Sequence, residues 1–453
     1  MDTIAAISTV QAPSAIGVLR ITGEKTLSVM ERVFHPLNGK PMGEQEPRRL
    51  ICGTVLDREG RQIDSAMGVY FRGPNSYTGE DSAEIHCHGS PIVLQEGLQA
   101  LFAAGARQAE RGEFTRRGFL NGRMDLTQAE AVIDLIEAET AEAARNAVGQ
   151  VEGVLRRQVE QIYEPLLAAL SRFYAVVDYP DEDIEELETQ QLRQTLLKAR
   201  TTLEELLSTA ERGKLLRSGV PAVILGRPNA GKSSLLNALL GYDRAIVTNI
   251  PGTTRDTVEE KVLCGQVLLH LSDTAGIRET EDAVEKLGVE RALRTAAAAD
   301  LALVVVDRSQ PLNQEDHRVL SCAAGAKHVI LVKNKCDLPA VEEELLSGHY
   351  DAQVSVSAKT GEGLKQLTET IERMYPQGSG ACGQILSNAR QIQAVQTALD
   401  AIKRSLAALK DGLTPDAVLS DTEQALSALG ELNGKSIRQE LVDTIFSRFC
   451  VGK

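Results

Sequence analysis

Gly226-Arg-Pro-Asn-Ala-Gly231-Lys232-Ser233 gathers the residue types that hold a polyphosphate, directly after a short apolar run and before Ser234-Leu235-Leu236-Asn237-Ala238-Leu239. The glycines let such a loop curl so that its N–H groups and the N-terminus of the following helix face phosphate oxygens. Asn229, Ala230, Gly231, Lys232, Ser233 and Ser234 then border the phosphates, with Lys232 on the outer ones and the Ser233 hydroxyl on Mg²⁺. Alone, the segment also suits a glycine-rich turn leading into a core helix. Three further segments, in order along the chain, decide between the two. In Asp273-Thr274-Ala275-Gly276 the aspartate can hold Mg²⁺ through water, and Gly276 lets a backbone N–H approach the γ-phosphate. In Asn334-Lys335-Cys336-Asp337 the Asp337 carboxylate can accept both N–H groups on guanine's edge, whereas adenine leaves those oxygens unpaired. Ser357-Ala358-Lys359 suits a backbone N–H to the guanine carbonyl. Together they imply a domain that binds and hydrolyses GTP.

Between the first two segments lies Thr248-Asn249-Ile250-Pro251-Gly252-Thr253-Thr254-Arg255-Asp256. A threonine here can close on Mg²⁺ while the γ-phosphate is present and release after hydrolysis. Ile277 follows Gly276, where Ras-like enzymes carry the glutamine that orients attacking water. An apolar side chain cannot polarise water. The missing group must come from elsewhere in the chain, from a partner, or from a bound cation.

Alternating strands and helices must position these segments. Ala222–Leu225, Val267–Leu271, Leu301–Val306, Val329–Val332 and Gln353–Val356 read as strands with helical segments between most of them, which predicts a mainly parallel sheet covered on both faces. Residues 1–118 mix short strands with turns, including Ile16–Ile21 and Gly68–Phe71. From Asp125 the pattern turns helical, with Thr127 and Glu130 spaced as a capping box. Asp-Tyr-Pro-Asp-Glu-Asp at 178–183 interrupts it, and a second helical stretch spans about 188–215. Beyond a Gly378-Ser379-Gly380 linker, Ile392, Val395, Leu399, Ile402, Leu406 and Leu409 form an apolar helical stripe that needs a covering helix. The expected organisation is multidomain: an α+β N-terminal domain (1–118), a discontinuous all-α helical domain (119–217 and 377–453), and an inserted α/β Ras-like G domain (218–376).

Composition narrows the partners. With 453 residues, 43% hydrophobic and 25% charged, the chain can bury several cores. Its net charge of −14 excludes a generally basic nucleic-acid binder, so any RNA contact must be local or delivered by a partner. No tryptophan and 4% aromatic residues argue against a stacking platform for single strands. The longest clean apolar run, Leu301–Val306, falls far short of the roughly 20 residues of a membrane helix. No secretory signal is read, and seven scattered cysteines without CxxC spacing fit a reduced cytoplasm.

The phosphate loop, TNIPGTTRD, DTAG, NKCD, the 178–183 segment and the terminal Phe449-Cys450-Val451-Gly452-Lys453 resemble the MnmE (TrmE) family of tRNA-modification GTPases along essentially the whole chain. Family members usually end Cys-Ile-Gly-Lys, and Val451 is a mild departure. The resemblance implies a homodimer built on N-terminal domains similar to folate-binding modules, and G domains activated when two meet. It implies a FAD-dependent MnmG-type partner, with which the wobble uridine of certain tRNAs gains a 5-aminomethyl-type group, a tetrahydrofolate supplying one carbon. Arg20, Glu84, Arg123 and Lys453 match folate-contacting positions, although position 123 is often lysine. Likewise Asn229, Thr248, Ile250 and Thr253 resemble K⁺ ligands, Thr254 the switch Mg²⁺ ligand, and Glu285 the water-organising glutamate. Local sequence alone leaves Glu285 equally readable as a solvated helix charge. Potassium beside the phosphates would offset the transition-state charge that Ile277 cannot. Rival readings are a regulatory switch that times assembly of a modification complex, and a ribosome-assembly GTPase, which leaves the N-terminal domain and the terminal motif unexplained.

Two features are ambiguous. His86-Cys87-His88 invites a metal, but on a strand Cys87 points away from both histidines, so a turn or cofactor-lining role is favoured. Cys450 is either a small buried residue beside Phe446 and Phe449 or a thiolate near a modification site, positional rather than nucleophilic.

Overall fold

The computed structural model describes residues 2–178, 185–242, 260–271, 296–341, 348–375, 382–413, 415–435, 442, 445–447 and 449–452. They form two compact units. The first takes in Met1–Ile133, Gly149–Glu204 and Gln393–Lys453, the second Asp134–Val148 and Glu205–Ile392.

Unit one opens with β1 (Ile4–Ile7), β2 (Ser14–Thr22), β3 (Phe34–Pro36), β4 (Ile51–Leu56), β5 (Gln62–Phe71), β6 (Ser82–Gly89) and β7 (Arg107–Gln108). They make one sheet in the order β3-β4-β5-β6-β2-β1-β7, antiparallel except where β7 runs parallel to β1. Alternation along β2 sends Leu19 and Ile21 into a core with Val29 of helix Thr26–Val33 and Leu94 and Leu98 of helix Pro91–Ala103. Arg20, between them, must face the other way. A Cβ on Gly17 would meet the Leu94 side chain at 2.4 Å, so any larger residue there forces Leu94 to shift.

The helical pattern after Asp125 becomes helix Leu126–Ile136, but its cap sits two residues earlier than expected. Asp125 Oδ1 accepts from Gln128 N–H at 2.8 Å, and Gln128 Oε1 accepts from Asp125 N–H at 3.0 Å. Thr127 instead donates to Asp125 Oδ1, and Glu130 is buried. Asp125 wins because its short carboxylate reaches the free first-turn amides. The apolar stripe forms helix Ala389–Lys410, burying Val395, Leu399 and Ile402. Helix Pro415–Asn433 joins it through Ser405 Oγ and Thr422 Oγ1, 2.9 Å apart, and also packs on helix Val154–Asp178.

Unit two is built on β8 (Val220–Leu225), β9 (Glu260–Cys264), β10 (Val267–Leu271), β11 (Leu301–Asp307), β12 (His328–Asn334) and β13 (Ala352–Ser355). Their order is β13-β12-β11-β8-β10-β9, parallel except for the β9–β10 pair. All seven β11 residues are buried, because its even-numbered and odd-numbered side chains feed separate cores on the two faces. From β8 the chain builds one side of the sheet, then returns to build the other, so the loops after β8, β11 and β12 converge at the strand ends where α/β sheets bind ligands. The unit reaches past the expected borders at 217/218 and 376/377. Asn146, on helix Ala141–Val151, accepts from the Gly383 and Ile385 N–H groups and donates to Ile385 O. Thr209 Oγ1 accepts from Leu386 N–H, so residues flanking the sheet on both sides are stitched together.

Candidate nucleotide site and N-terminal pocket

The loop between β8 and helix Lys232–Tyr242 is shaped by backbone constraints. Asn229 and Gly231 adopt left-handed φ of 63° and 94°. A Cβ on Gly226 would fall 2.5 Å from Val305 O, and one on Gly231 2.1 Å from Asn334 Nδ2. Lys232 folds back over this loop and donates to Gly226 O at 2.8 Å and Arg227 O at 2.9 Å. Burial pushes its pKa below the ordinary lysine value. Asn229, Ser233 and Ser234 are exposed along the loop crown and first helical turn, whereas Ala230 is buried. The exposed Ser233 hydroxyl at a helix N-terminus suits Mg²⁺.

The guanine-reading segments meet this loop through Asn334, which is buried. Its Nδ2 donates to Ala230 O at 3.0 Å and its Oδ1 accepts from Ala358 N–H at 3.1 Å. One amide therefore ties the phosphate loop to the 357–359 segment. Asp337 is exposed, and one carboxylate oxygen accepts from Ser357 Oγ at 2.7 Å, which leaves acceptor capacity for two donors on a base edge. Lys335, at φ 63°, donates to Asp307 Oδ2 at 2.6 Å, while Lys359 is exposed. Asp307 was not foreseen in the sequence, although a carboxylate closing an apolar strand is a signal. Burial pushes its carboxyl up, but hydrogen bonds from Lys335 and Ser309 outweigh this and hold it below the usual range. Thr248, Asn249, Ile250, Pro251, Gly252, Thr253, Thr254, Asp273, Thr274, Ala275, Gly276, Ile277 and Glu285 lie outside the described residues, as does Lys453.

On the second face of the N-terminal sheet, β2 and β6 set Arg20 opposite Glu84. Arg20 donates to Glu84 Oε1 through Nε at 2.9 Å, and its Nη2 pairs with the same oxygen at 2.8 Å. Its guanidinium lies 5.9 Å from the Tyr77 ring and 5.8 Å from the Phe114 ring, within cation–π range. Burial raises the Glu84 pKa, but the Arg20 charge and hydrogen bonds from His86 and Arg20 bring it below the ordinary value. Arg123 is exposed and packs its methylenes on Gly79, in the turn that carries Tyr77, so it adjoins the pair through that turn.

The C-terminal segment closes on the same pocket. Gly452 O accepts from Arg20 Nη1 at 3.2 Å and Ser8 Oγ at 3.1 Å. Val451 bridges Arg111, and Cys450 O accepts from Gly112 N–H at 3.3 Å. Phe446 and Phe449 are buried and stacked, whereas Cys450 is exposed, so its side chain is not a core-filling one. Around the Arg20–Glu84 pair stand the Tyr77 ring and the fully buried Phe114 ring. His86 and His88 do not converge on a metal: His86 Nε2 lies 3.0 Å from Glu84 Oε2, and His88 Nδ1 2.7 Å from Asp64 Oδ1. Burial pushes the intervening Cys87 thiol up to about 12. Among the described residues no cluster of His, Cys, Asp or Glu could hold a metal, and no helix is long and apolar enough to cross a membrane.

A phosphate loop and a guanine-reading strand end, clamped together at the carboxyl edge of a parallel sheet, define a P-loop GTPase. Comparison with known proteins is more specific. A family model described as the MnmE helical domain matches residues 126–450, and one described as the GTP-binding protein TrmE N-terminus matches 3–123. Curated relatives named tRNA modification GTPase MnmE are 43% identical in Roseiflexus sp. (strain RS-1) and 42% in Clostridioides difficile (strain 630), each over 100% of this chain and 99% of the relative. The G domain of the T. maritima FeoB iron transporter is 30% identical, covering 35% of this chain and 99% of that one with a TM-score of 0.25. The chain belongs to the MnmE family of tRNA modification GTPases.

Proposed function

We propose that this GTPase works in wobble-uridine modification, pairing with a FAD-dependent MnmG-type partner to install an aminomethyl-type group at C5 in certain tRNAs. The observation that supports the reading most directly is the closure of the C-terminal Cys450–Gly452 segment on the Arg20–Glu84 pocket, which puts an exposed thiol residue beside a pterin-compatible site. In this reading 1–118 is the tetrahydrofolate-binding and dimerisation domain, 119–217 with 377–453 the helical domain, and 218–376 the G domain, in a cytoplasmic homodimer. Arg20, Glu84, Arg123 and Lys453 hold the folate, which supplies a one-carbon unit when bound.

Hydrolysis follows from the loop. Lys232 neutralises the outer phosphates, and its lowered pKa reflects a desolvated site where charge acts more strongly. Ser233 and Thr254 hold Mg²⁺. Asn229, with Thr248, Ile250 and Thr253, holds K⁺, and Glu285 organises the attacking water in place of a glutamine. Asp337 accepts the guanine N–H pair. Complementation of a deletion strain tests the reading by mass analysis of tRNA nucleosides. The wild-type chain restores the modified wobble uridine and Lys232→Ala does not. Normal modification with Lys232→Ala, or with the whole chain deleted, overturns it.

A further inference from the structure

Among the described residues Glu84 is the acidic group paired with Arg20, yet Arg20 uses one of its two oxygens. A carboxylate has about four lone-pair positions. Arg20 engages Oε1, by hydrogen bond from Nε and ion-pair contact from Nη2, and His86 Nε2, 3.0 Å from Oε2, takes one position there. Glu84 therefore retains one open acceptor position, on Oε2. The geometry that enforces this is the pleat: Glu84 and His86 are two residues apart on β6 and share one face of the sheet. Across the sheet, His86 registers with Val18 on β2 and Met67 on β5, neither of which can take the imidazole's hydrogen bond away from Glu84.

We propose that His86 is a positioning and specificity-determining residue of the N-terminal pocket. Resting on the folate reading above, its Nε2–H fixes the plane of the Glu84 carboxylate and leaves the single remaining lone pair to accept one N–H of the pterin's amino-pyrimidinone edge. With Nε2 carrying the proton, Nδ1 is an acceptor beside it. The imidazole side chain is 30% exposed. The site thus presents Arg20 as donor and Glu84 Oε2, held by His86, as a fixed acceptor. A donor beside a fixed acceptor selects an edge bearing an N–H at that place over one bearing a carbonyl there. Without His86 the carboxylate keeps only its Oε1 anchor and can rotate about it, so orientation is lost before binding.

Calorimetric titration of the full chain with 5-formyltetrahydrofolate tests this, with melting temperature as a check on folding. His86→Ala and the strand-compatible His86→Phe are expected to weaken binding about tenfold, and His86→Gln, whose amide still donates to Glu84, to recover affinity to within about threefold. Melting temperatures should stay level across the set, because the part-exposed imidazole is not part of the hydrophobic core. Wild-type affinity in His86→Ala or His86→Phe, or equal losses in all three variants, overturns the role of His86 while leaving the folate reading intact. A wild-type chain that does not bind the folate overturns both.

Discussion

Asn334→Ala removes one amide that serves two buried backbone groups. Ala230 O loses its donor at 3.0 Å and Ala358 N–H its acceptor at 3.1 Å, and Asn334 is only 2% exposed, so water does not readily replace the amide. Each orphaned buried polar group costs about 1–3 kcal/mol. Two of them give about 2–6 kcal/mol, and partial relaxation favours the lower half of that range. For a unit of roughly 200 residues, 1 kcal/mol lowers the melting temperature by about 2–4 °C, so the G-domain transition should fall by about 5–15 °C. Nucleotide affinity should fall at least tenfold, since the phosphate loop and the guanine-carbonyl segment are no longer held in register. Asn334→Asp should be nearly as damaging: it keeps the acceptor for Ala358 N–H but sets a carboxylate oxygen against Ala230 O. Calorimetry with GDP absent, and fluorescence titration with a mant-labelled GDP, measure the two effects. A shift under about 2 °C with unchanged GDP affinity would show that the two segments are held by something else, and the clamp argument fails.

Asp337→Asn should exchange guanine for xanthine preference, because an amide N–H then faces the base where an acceptor stood; competition with xanthine and guanine nucleotides reads it directly. Hydrolysis should be faster in potassium than in sodium at matched ionic strength, and Asn229→Ala should remove that difference while GTP binding survives; equal rates in the two salts would send the search for the missing charge to a partner protein. The N-terminal unit should lose stability in acid. Burial raises the Glu113 carboxyl, but hydrogen bonds from Arg107, the Glu110 N–H and Arg117 outweigh it and lower its pKa, and Arg107 with Arg117 also lowers that of Asp2. A carboxyl lowered by folding stabilises above its unfolded value, about 4, and that contribution disappears as pH falls through the lower folded value. Melting of this unit should therefore be flat from pH 7 to about 5 and drop below about 4, less steeply in Glu113→Gln; identical slopes would refute the assignment.

Local patterns in the chain already determined the strand–loop–helix around Lys232, the strand Val267–Leu271 at its observed limits, and the buried run Leu301–Val306. Those features depend on neighbours a few residues apart: side-chain alternation, glycines where φ is positive, a hydroxyl after a lysine. The chemistry of guanine and phosphate recognition was legible for the same reason, since each segment carries its own donors and acceptors. Tertiary structure decided which groups serve one another. Asn334 reaches Ala230 across 104 residues of sequence, and Gly452 reaches Arg20 across 432, so nothing in either local pattern marks the pairing. Asp307 at the end of an apolar strand reads the same whether it meets a lysine or water, until the parallel register places it directly opposite Asn334, one residue short of Lys335. His86 likewise read only as a turn or cofactor-lining residue, its spacing with Cys87 and His88 arguing against a metal. Only the pairing of β2 with β6 shows that it shares a carboxylate with an arginine, because register, unlike periodicity, is set by the strands on either side.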